Sequence, residues 1–469
     1  MRTSKTAMSL AMVAMLASCG GGGNNNNAGT PTPTPPPVTD ACSYTAQADF
    51  VRRVFNEWYL FPDLLNTSVN AANYNNLNDY IDALVAPARA ENKDRFFSYA
   101  TSIEAENAFF NGGSSAGLGI RLFYDFDERR VFVAETFDNT PALAAGIDRG
   151  TEILAIGTTA SNLQTVNSLL ATGGGAAVSD ALGPNEPGVT RVLRIRDRDG
   201  NESTVTVTKA EYALDPVPRY GAQIINDGGR RVGYVRLTNF INPAIDELRT
   251  AFATFRAEGI TEYVVDLRYN GGGGVNVNEY FGDLFARNLD GEIFETIAFR
   301  DSKSSNNETY RFQARPQSVA PTRIAFIGDE RTASASEALI NGLQPYLGDN
   351  LALVGSNTFG KPVGQSAFDL ADCDLRVRAV TLKLENANGQ GEYFNGLATT
   401  VPNFCPAPEV INRQFGDPQE SLVSVALDFL EFGSCPSTTT RTTTSADRLR
   451  MLQPERPSTV LEREIQGGF

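Results

Sequence analysis

The sequence predicts a multidomain protein whose largest domain is of the α/β class. Three observations carry this prediction. Apolar residues near position 50 recur at helical spacing, a glycine-punctuated stretch rich in strand signals follows, and strand-like and helical patterns alternate in the second half. With 469 residues, 41% of them apolar, the chain can form about three domains. Its formal net charge of -15 argues against nucleic acid as a partner.

The first residues have the pattern of an export signal. Arg2 and Lys5 precede a short apolar stretch over residues 8–16, which is too short to span a bilayer. Residues 16–19, Leu-Ala-Ser-Cys, resemble the lipobox at which bacterial lipoproteins are cleaved. We therefore expect residues 1–18 to be a lipoprotein signal peptide. An ordinary signal peptide followed by a chance cysteine is the alternative.

Cleavage before Cys19 would free its thiol for acylation, so the lipid anchor is the only expected contact with the membrane. Gly20, where aspartate could stand, favours the periplasmic face of the outer membrane, by resemblance to bacterial lipoproteins. Residues 19–45 are rich in Gly, Asn, Thr and Pro, and the proline part is expected to be stiff and extended. We expect this segment to be a linker.

The next two regions differ in pattern. Residues 46–110 predict a helical region, because Phe50 to Leu60 carries apolar residues at spacings of three and four. Residues 111–212 resemble a PDZ domain, in which the loop Gly117-Leu118-Gly119-Ile120 would receive a peptide's terminal carboxylate on its backbone N–H groups. The other elements expected here are a strand at 131–135, a short helix at 140–147, a groove-lining helix at 162–170 and a flexible loop at 173–188.

Residues 213–433 predict the α/β domain. Strands alternate with helices along this region, which indicates a largely parallel sheet. The expected strands cover 231–237, 262–267, 323–327 and 351–354, and the expected helices cover 243–258, 278–287 and 337–346.

Ser334 lies where one of these strands gives way to a helix, within Thr332-Ala333-Ser334-Ala335-Ser336-Glu337. At such a junction the free N–H groups and the positive end of the helix dipole can stabilise an oxyanion, so a serine is well placed to attack a carbonyl. A serine there can also be a simple N-cap. The choice depends on which group could take the proton of the hydroxyl.

Histidine, the usual base, is absent from the chain, which excludes every Ser-His-Asp and Cys-His arrangement. The remaining candidate is a lysine whose pKa is lowered by burial from about 10.4 towards roughly 7–8. Only six of the 40 basic residues are lysines, and Lys361 is one of them, after Phe359 and Gly360. If this segment is helical, Gln365 shares a face with Lys361 and its amide oxygen can orient the amine.

Four successive glycines, Gly271 to Gly274, follow the predicted strand at 262–267. Bare backbone at such a loop can bring N–H groups close to a substrate carbonyl. We expect an oxyanion hole that combines the N–H of Gly271 or Gly272 with that of Ala335. A plain surface turn is the alternative. No metal site and no organic cofactor is implied.

Together these segments resemble the carboxyl-terminal processing (tail-specific) serine peptidases, a family related to the tricorn core. The nucleophile motif matches residues 332–337, the lysine motif matches 359–361 with Gln365, and a third signature matches 264–273. The resemblance spans residues 46–433. It implies a crotonase-like catalytic fold, a serine endopeptidase with Ser334 as nucleophile and Lys361 as base, and protein or peptide substrates with accessible C-termini.

Apart from Cys19, the chain contains Cys42, Cys373, Cys405 and Cys435. An even number in an oxidising compartment suggests two disulfides, and four cysteines allow three pairings. We prefer Cys373 with Cys405, which would bracket a hairpin-like region, and Cys42 with Cys435, which would tie together the ends of the folded part. The polar residues 434–469 predict a disordered tail.

Two other functions remain open on the sequence. A peptide-binding lipoprotein could use the PDZ domain and an inactive peptidase core as a scaffold. A crotonase-like core could also act on acyl thioesters, although the export signal and the acidic charge oppose a coenzyme A substrate. Proteolysis and thioester-hydrolysis assays separate these possibilities.

Overall fold

The computed structural model describes residues 41–436, 449–452, 456–457, 463 and 469. The predictions about the signal peptide, Cys19 and most of the linker concern residues outside this part of the chain. Among the described residues, no helix combines the length and the apolar character that crossing a membrane requires.

Helices and strands are numbered along the described residues. The α-helices are α1 (Tyr44–Trp58), α2 (Leu77–Leu84), α3 (Ala86–Ala90), α4 (Ile103–Gly112), α5 (Pro141–Ala144), α6 (Val166–Leu182), α7 (Ala244–Ala257), α8 (Val275–Leu284), α9 (Ala335–Leu347) and α10 (Ser421–Phe432). The strands are β1 (Tyr99–Thr101), β2 (Ser114–Gly117), β3 (Ile120–Asp125), β4 (Arg130–Thr136), β5 (Glu152–Gly157), β6 (Gln164–Thr165), β7 (Thr190–Arg196), β8 (Glu202–Thr208), β9 (Ala210–Ala213), β10 (Ala222–Asp227), β11 (Arg230–Arg236), β12 (Glu262–Asp266), β13 (Ile293–Phe299), β14 (Glu308–Arg311), β15 (Arg323–Gly328), β16 (Leu351–Gly355), β17 (Val363–Leu370), β18 (Leu375–Glu385), β19 (Asn403–Pro406) and β20 (Leu449–Met451).

The α/β core has three layers. Its sheet has the order β10-β11-β12-β15-β16-β19, and its pairs are parallel except for β10 with β11. Apolar side chains of α7, α8 and α9 cover one face, and those of α10 cover the other. The predicted alternation and the largely parallel sheet are confirmed. Because β12 and β15 are parallel neighbours, the loops that follow them lie side by side at one edge of the sheet.

A second sheet, of order β1-β18-β13-β14 with β17 alongside β18, supports the N-terminal helices. Helix α1 begins after Ser43, whose hydroxyl accepts a hydrogen bond from the N–H of Ala46. Its buried Val51, Val54 and Phe55 face this sheet, so the helical pattern predicted over residues 50–60 is confirmed.

Residues 114–213 form a strand-rich module. Its sheet has the order β20-β3-β4-β5-β7-β8, with β6 beside β5, and α5 and α6 close its apolar core. The predicted flexible loop at 173–188 is wrong over residues 173–182, because α6 runs on to Leu182 with a kink at Gly174, and only residues 183–188 lie outside a helix. A glycine in a helix costs about 1 kcal/mol relative to alanine. Burial of Val178 and Leu182 in the module core offsets that cost.

The preferred disulfide pairing is also wrong. Cys42, just before α1, is bonded to Cys373 in the turn between β17 and β18, and Cys405 on β19 is bonded to Cys435 after α10. The expected Cys373–Cys405 pair fails because its two members belong to different sheets. Each observed bond joins Cα atoms 5.3 and 5.1 Å apart, respectively, within the usual range.

The predicted disordered tail lies partly outside the described residues. Its described part includes β20, which pairs antiparallel with β3 through Leu449 opposite Asp125 and Met451 opposite Phe123. This part of the tail is therefore ordered against the strand-rich module. Polar composition alone did not predict it, because the pairing uses backbone groups.

Candidate active site

One asparagine joins the two loops that follow β12 and β15. The backbone oxygen of Asn270 accepts from the N–H of Ala333 (3.1 Å) and from the hydroxyl of Ser336 (3.0 Å). Its side chain accepts from the N–H of Gly272 (2.9 Å) and donates to the oxygen of Leu237 (2.8 Å). Asn270 is fully buried, so these bonds hold the glycine loop and the serine loop in a fixed relation.

Ser334 directly precedes α9 and has φ 57° and ψ -118°, a backbone conformation that non-glycine residues rarely adopt. Gly272 makes room for this turn. A Cβ at position 272 would lie 2.7 Å from the Cβ of Ser334 and 2.9 Å from the N atom of Ala335. The glycine loop therefore contacts the serine turn at a distance that only a residue without a side chain allows.

Glu337 connects the serine turn with the lysine loop. Its fully buried carboxylate accepts from the N–H of Ser334 (3.0 Å), Gly360 (2.7 Å) and Lys361 (2.8 Å) and from the hydroxyl of Thr358 (2.6 Å). Burial raises the pKa of Glu337 above its usual value, although these hydrogen bonds oppose the increase. A single carboxylate thus fixes the backbone on both sides of the cavity.

The N-terminal region supports the lysine loop. The guanidinium of Arg95 donates to the oxygens of Phe359 (2.8 Å) and Gly360 (2.6 Å) and lies 4.1 Å from the centre of the Phe359 ring. The amine nitrogen of Lys361 lies 5.0 Å from the centre of the Phe97 ring. The loop that carries Lys361 is therefore shaped by residues more than 250 positions earlier in the chain.

The predicted site residues face one cavity. Ser334, Ala335, Lys361, Gln365 and Gly271 all line a space of about 330 Å³. Aromatic, amide and guanidinium groups complete much of the wall: Tyr99, Phe240, Asn242, Asn278, Arg376 and Arg378. A hydroxyl, an amine and candidate N–H donors are thus brought together in a space that can hold part of an extended peptide.

Two details of the predicted site need correction. Gln365 and Lys361 do not share a helical face, because residues 363–370 form strand β17; the amide nitrogen of Gln365 instead donates to the oxygen of Phe97 (3.0 Å). Gly272 cannot be an oxyanion donor in this geometry, because its N–H is already bonded to the side chain of Asn270. Of the two candidates in the glycine loop, Gly271 is the one that lines the cavity.

A buried ion pair supports the glycine loop from below. Arg268 and Asp266 are both fully buried and 2.6 Å apart, and Arg268 also contacts Glu420 at 3.1 Å. Burial opposes ionisation of Asp266, but Arg268 and Arg236 lower its pKa below the usual value. The hydroxyl of Tyr234 donates to the same carboxylate (2.7 Å). These contacts give Asp266 and Arg268 a supporting position behind the cavity.

The predicted peptide-binding loop lies in the strand-rich module. Strand β2 ends at Gly117 and β3 begins at Ile120, and the side chain of Leu118 is buried in the module core. The N–H groups of Gly119 and Ile120 both point to the O atom of Phe469, at 2.8 and 3.2 Å. Successive N–H groups of this loop are therefore arranged to receive one oxygen.

Sequence reasoning missed two supporting residues. Glu337 was visible only as an acidic residue in the first turn of a helix, and the sequence carries no signal for its bonds to the lysine loop. Arg95 lies in the helical region and had no motif to mark it. Both act through contacts between distant segments, which only the folded structure brings together.

Two stretches of this chain match models of known protein families. A model of peptidase family S41 matches residues 231–402, and a model of the peptidase S41 N-terminal domain matches residues 46–99. A carboxyl-terminal-processing protease of Picosynechococcus is 31% identical over 263 residues, covering 55% of this chain and 58% of that protein. A protease of the same description from Synechocystis is 26% identical, covering 68% of this chain and 70% of that protein. The chain thus spans less than two thirds of the first of these relatives.

The fold is shared with a solved structure described as an S41 protease from Bacteroides fragilis. The TM-score is 0.65 at 21% sequence identity, over 81% of this chain and 97% of that one. This similarity establishes a mixed α/β, multidomain fold of the S41 protease type. The chain thus carries an S41 N-terminal domain and an S41 peptidase domain in that order, and it is a homologue of the carboxyl-terminal-processing proteases.

Proposed function

We propose that this protein is an exported, lipid-anchored serine endopeptidase that recognises protein C-termini and hydrolyses peptide bonds nearby. The observation that carries the proposal is the shared cavity of Ser334 and Lys361, in a chain without histidine. The named relatives are carboxyl-terminal-processing proteases, which supports the same activity here.

In the first half of the reaction, the hydroxyl oxygen of Ser334 attacks the substrate carbonyl carbon and its proton passes to the neutral amine of Lys361. The N–H groups of Gly271 and Ala335 stabilise the negative oxygen of the tetrahedral intermediate. When the intermediate collapses, the C–N bond breaks and the ammonium of Lys361 returns the proton to the leaving amine. An ester between Ser334 and the substrate acyl group remains.

In the second half, water attacks the ester carbonyl and gives its proton to Lys361. Collapse of this intermediate breaks the bond to the Ser334 oxygen, which takes the proton back and releases the new carboxyl end. We assign Gln365 the role of positioning this amine: its amide nitrogen donates to the oxygen of Phe97, which leaves the amide oxygen to accept from Lys361 during the reaction. No metal or cofactor takes part.

We further propose that the α/β core is crotonase-like and that the strand-rich module is a PDZ domain. The paired N–H groups of Gly119 and Ile120 support the second assignment, because that fold binds a peptide end by such a loop and by strand addition along its sheet. Phe469 already makes these contacts. The substrates are therefore protein or peptide chains with accessible C-termini.

The proposed location is the periplasmic face of the outer membrane, through a lipid on Cys19. This part rests on the sequence of residues 1–20. The two disulfides support an oxidising compartment. Metabolic labelling with a clickable palmitate analogue tests it: wild type should be labelled and Cys19→Ala should not.

The proposed chemistry is tested by cleavage of casein with purified protein. Ser334→Ala and Lys361→Ala should each lower the rate by at least about 1,000-fold, because removal of a nucleophile or its base costs that much in serine peptidases. Ser356→Ala and Lys303→Ala are matched controls, since both residues lie outside the wall of the cavity. Retained cleavage in either site variant would overturn the assignment.

The alternative function, an inactive scaffold that binds peptides, predicts a different result. Wild-type protein would then bind C-terminal peptides without cutting casein. The two matched S41 peptidase domains disfavour this outcome, and the same assay decides it.

A further inference from the structure

The ligand of the Gly117–Ile120 loop in this structure is a segment of the protein itself. Phe469, the last residue of the sequence, donates its N–H to the oxygen of Ile120 (2.8 Å) and accepts from the N–H of Ile120 (3.2 Å) and of Gly119 (2.8 Å). The exchange of two bonds with Ile120 is the pattern of an antiparallel strand pair. Phe469 thus extends the sheet at the edge of β3.

The loop fits this residue closely. A Cβ at Gly117 would lie 2.8 Å from the backbone carbon of Phe469, so a side chain at position 117 would displace it. The ring of Phe469 packs against the apolar core of the module, where Leu452 packs as well. Glycine at 117 therefore serves the bound residue, and the apolar contact selects a large apolar side chain at the ligand end.

Other described residues of the same segment are also held. Leu449 to Met451 pair with β3 as strand β20, at the opposite end of that edge from Phe469. Arg456 forms ion pairs with Asp79 (2.5 Å) and Asp82 on α2. The guanidinium of Arg463 lies 3.9 Å from the centre of the Tyr99 ring. The segment therefore contacts both the module and the N-terminal region.

Tyr99 gives these contacts a functional meaning, because it is part of the wall of the Ser334 cavity. One segment thus touches the cavity wall through Arg463 and fills the peptide loop through Phe469. A substrate that enters by its C-terminus must compete with this segment at the loop.

We propose that residues 449–469 are a tethered competitor, in which Phe469 occupies the peptide-binding loop in cis and keeps out chains that end in a large apolar residue. A tethered ligand has an effective concentration in the millimolar range, so a free peptide of similar affinity competes poorly. The inference rests on the proposed peptide-binding role of the loop, and it does not depend on proteolysis.

The test measures peptide binding in the full chain with Ser334→Ala as background. The probe is a fluorescein-labelled peptide with the sequence of residues 460–469, Val-Leu-Glu-Arg-Glu-Ile-Gln-Gly-Gly-Phe, followed by fluorescence anisotropy. Phe469→Asp should release the loop and lower the Kd of the probe at least tenfold. Phe432→Asp is the matched control, because Phe432 is 68% exposed at the end of α10, and it should leave the Kd unchanged.

Specificity for the loop is checked in the Phe469→Asp protein. Adding Gly117→Ala should weaken the probe at least tenfold, and circular dichroism verifies that this variant is folded. A probe ending in Asp or in a C-terminal amide should bind at least tenfold more weakly than the free Phe acid. If Gly117→Ala, a terminal Asp and a C-terminal amide all leave the Kd of the probe unchanged, the loop is not its binding site.

The remaining outcomes separate the two proposals. Equal affinity of the probe for the Phe469→Asp variant and for the protein that keeps Phe469 would overturn the tethered competitor. Peptide recognition by the loop would remain intact. No probe binding to the released loop would overturn both the competitor and the peptide-recognition part of the proposed function, while casein cleavage stays as an independent test of the chemistry. If the difference in Kd between the two proteins disappears when the protein is diluted 100-fold, the loop is occupied by Phe469 of a second copy. That result would overturn the cis arrangement.

Discussion

Two glycine loops, one at Gly272 and one at Gly117, each place backbone without a side chain in close contact with another segment. The two contacts serve different purposes. Gly272 contacts the turn of Ser334, where an added Cβ would be 2.7 Å from a neighbouring atom, and Gly117 contacts Phe469, where it would be 2.8 Å away. The first partner lies in a frame of buried hydrogen bonds through Asn270. The second partner is a distant segment held at a sheet edge.

The two contacts differ in whether another group can replace the partner of the glycine. The contact of Gly272 with Ser334 joins the loops that follow β12 and β15, two parallel neighbouring strands of one core. It can therefore be lost only by distorting that core. The contact of Gly117 with Phe469 uses a few backbone hydrogen bonds and one ring, and under the proposed peptide-binding role another peptide replaces it. Similar glycine geometry therefore builds a fixed turn beside the cavity in one place and a contact with a distant segment in the other.

The largest effect that would distinguish the loops is expected from Gly272→Ala. The new methyl group forces the serine turn to move, and the position has φ 104°, which alanine disfavours. Since a displacement of about 1 Å at a reacting group costs roughly 100-fold, kcat/KM for an internally quenched peptide should fall by about that factor. Probe binding to the Gly117–Ile120 loop in the Phe469→Asp background should stay within twofold.

Gly291→Ala is the matched control for this change. Gly291 also has a positive φ, 83°, but a Cβ there would meet no atom within 4 Å. It should cost about 1 kcal/mol of stability and leave kcat/KM unchanged. Full activity in Gly272→Ala would mean that the loop of Gly272 adapts as readily as the Gly117–Ile120 loop. The contrast between a fixed and a replaceable contact would then be wrong.

A smaller loss is expected from Glu337→Gln. The amide has one accepting oxygen and turns its NH2 towards N–H donors, so the turn of Ser334 and the loop of Lys361 are no longer held together. We expect kcat to fall about 10- to 100-fold with KM changed less than threefold. Glu330→Gln, in the loop before α9 and with a 65% exposed side chain, should be neutral.

The pH profile separates this positioning role from a general loss of stability. The pKa of Glu337 is raised by burial, so in the wild type activity should fall on acidification at a pH above the usual range of a glutamate, as the carboxylate becomes protonated. Protonation of Lys361, the proposed base, lowers activity on acidification in both proteins, and Glu337→Gln should lack only the part of the acid limb that protonation of Glu337 causes. An identical acid limb in both proteins would contradict the role of Glu337.

The smallest effect concerns stability at the cavity wall. Glu295 on β13 is buried and accepts from the amide of Asn278, a wall residue, and burial raises its pKa to about 8. Because the folded state holds a proton that the unfolded state has lost, this contribution is complete below about pH 4.5 and disappears as the pH rises through 8. Glu295→Gln should reduce the dependence and stabilise the protein at pH 9 by about 2–4 kcal/mol relative to wild type.

Urea unfolding followed by circular dichroism at pH 5, 7 and 9 measures this difference. Glu292→Gln, at an exposed neighbouring position, is the control and should follow the wild type at each pH. A wild-type stability that is flat between pH 5 and 9 would mean that Glu295 is solvated in solution. The cavity wall at Asn278 would then be more hydrated than the structure indicates.

Local patterns accounted for much of the fold. The alternation of strands and helices over 231–354 and the helix around Phe55 were predictable, because each depends on apolar spacing within a short window. The cavity residues were also found, since Ser334, Lys361 and the glycine run lie in short motifs. Their spatial grouping follows from the parallel order of β12 and β15.

The features that could not be predicted depend on contacts between segments that are far apart in the sequence. The pairing of Cys42 with Cys373 requires knowing that α1 ends up beside the turn after β17. The helix through Gly174 exists because its far half packs on the module core, which outweighs poor local propensity. The position of Phe469 follows from backbone pairing with Ile120, which leaves no mark in composition.

The bond between Cys42 and Cys373 has a mechanical consequence. Any pull applied to the chain ahead of Cys42 is transmitted through this covalent link into the β17–β18 turn, so α1 is largely relieved of the load. Strand β17 also carries Gln365, at the edge of the cavity. A pulling force on the chain ahead of Cys42 thus reaches the same hairpin that carries Gln365, a side chain in the cavity wall.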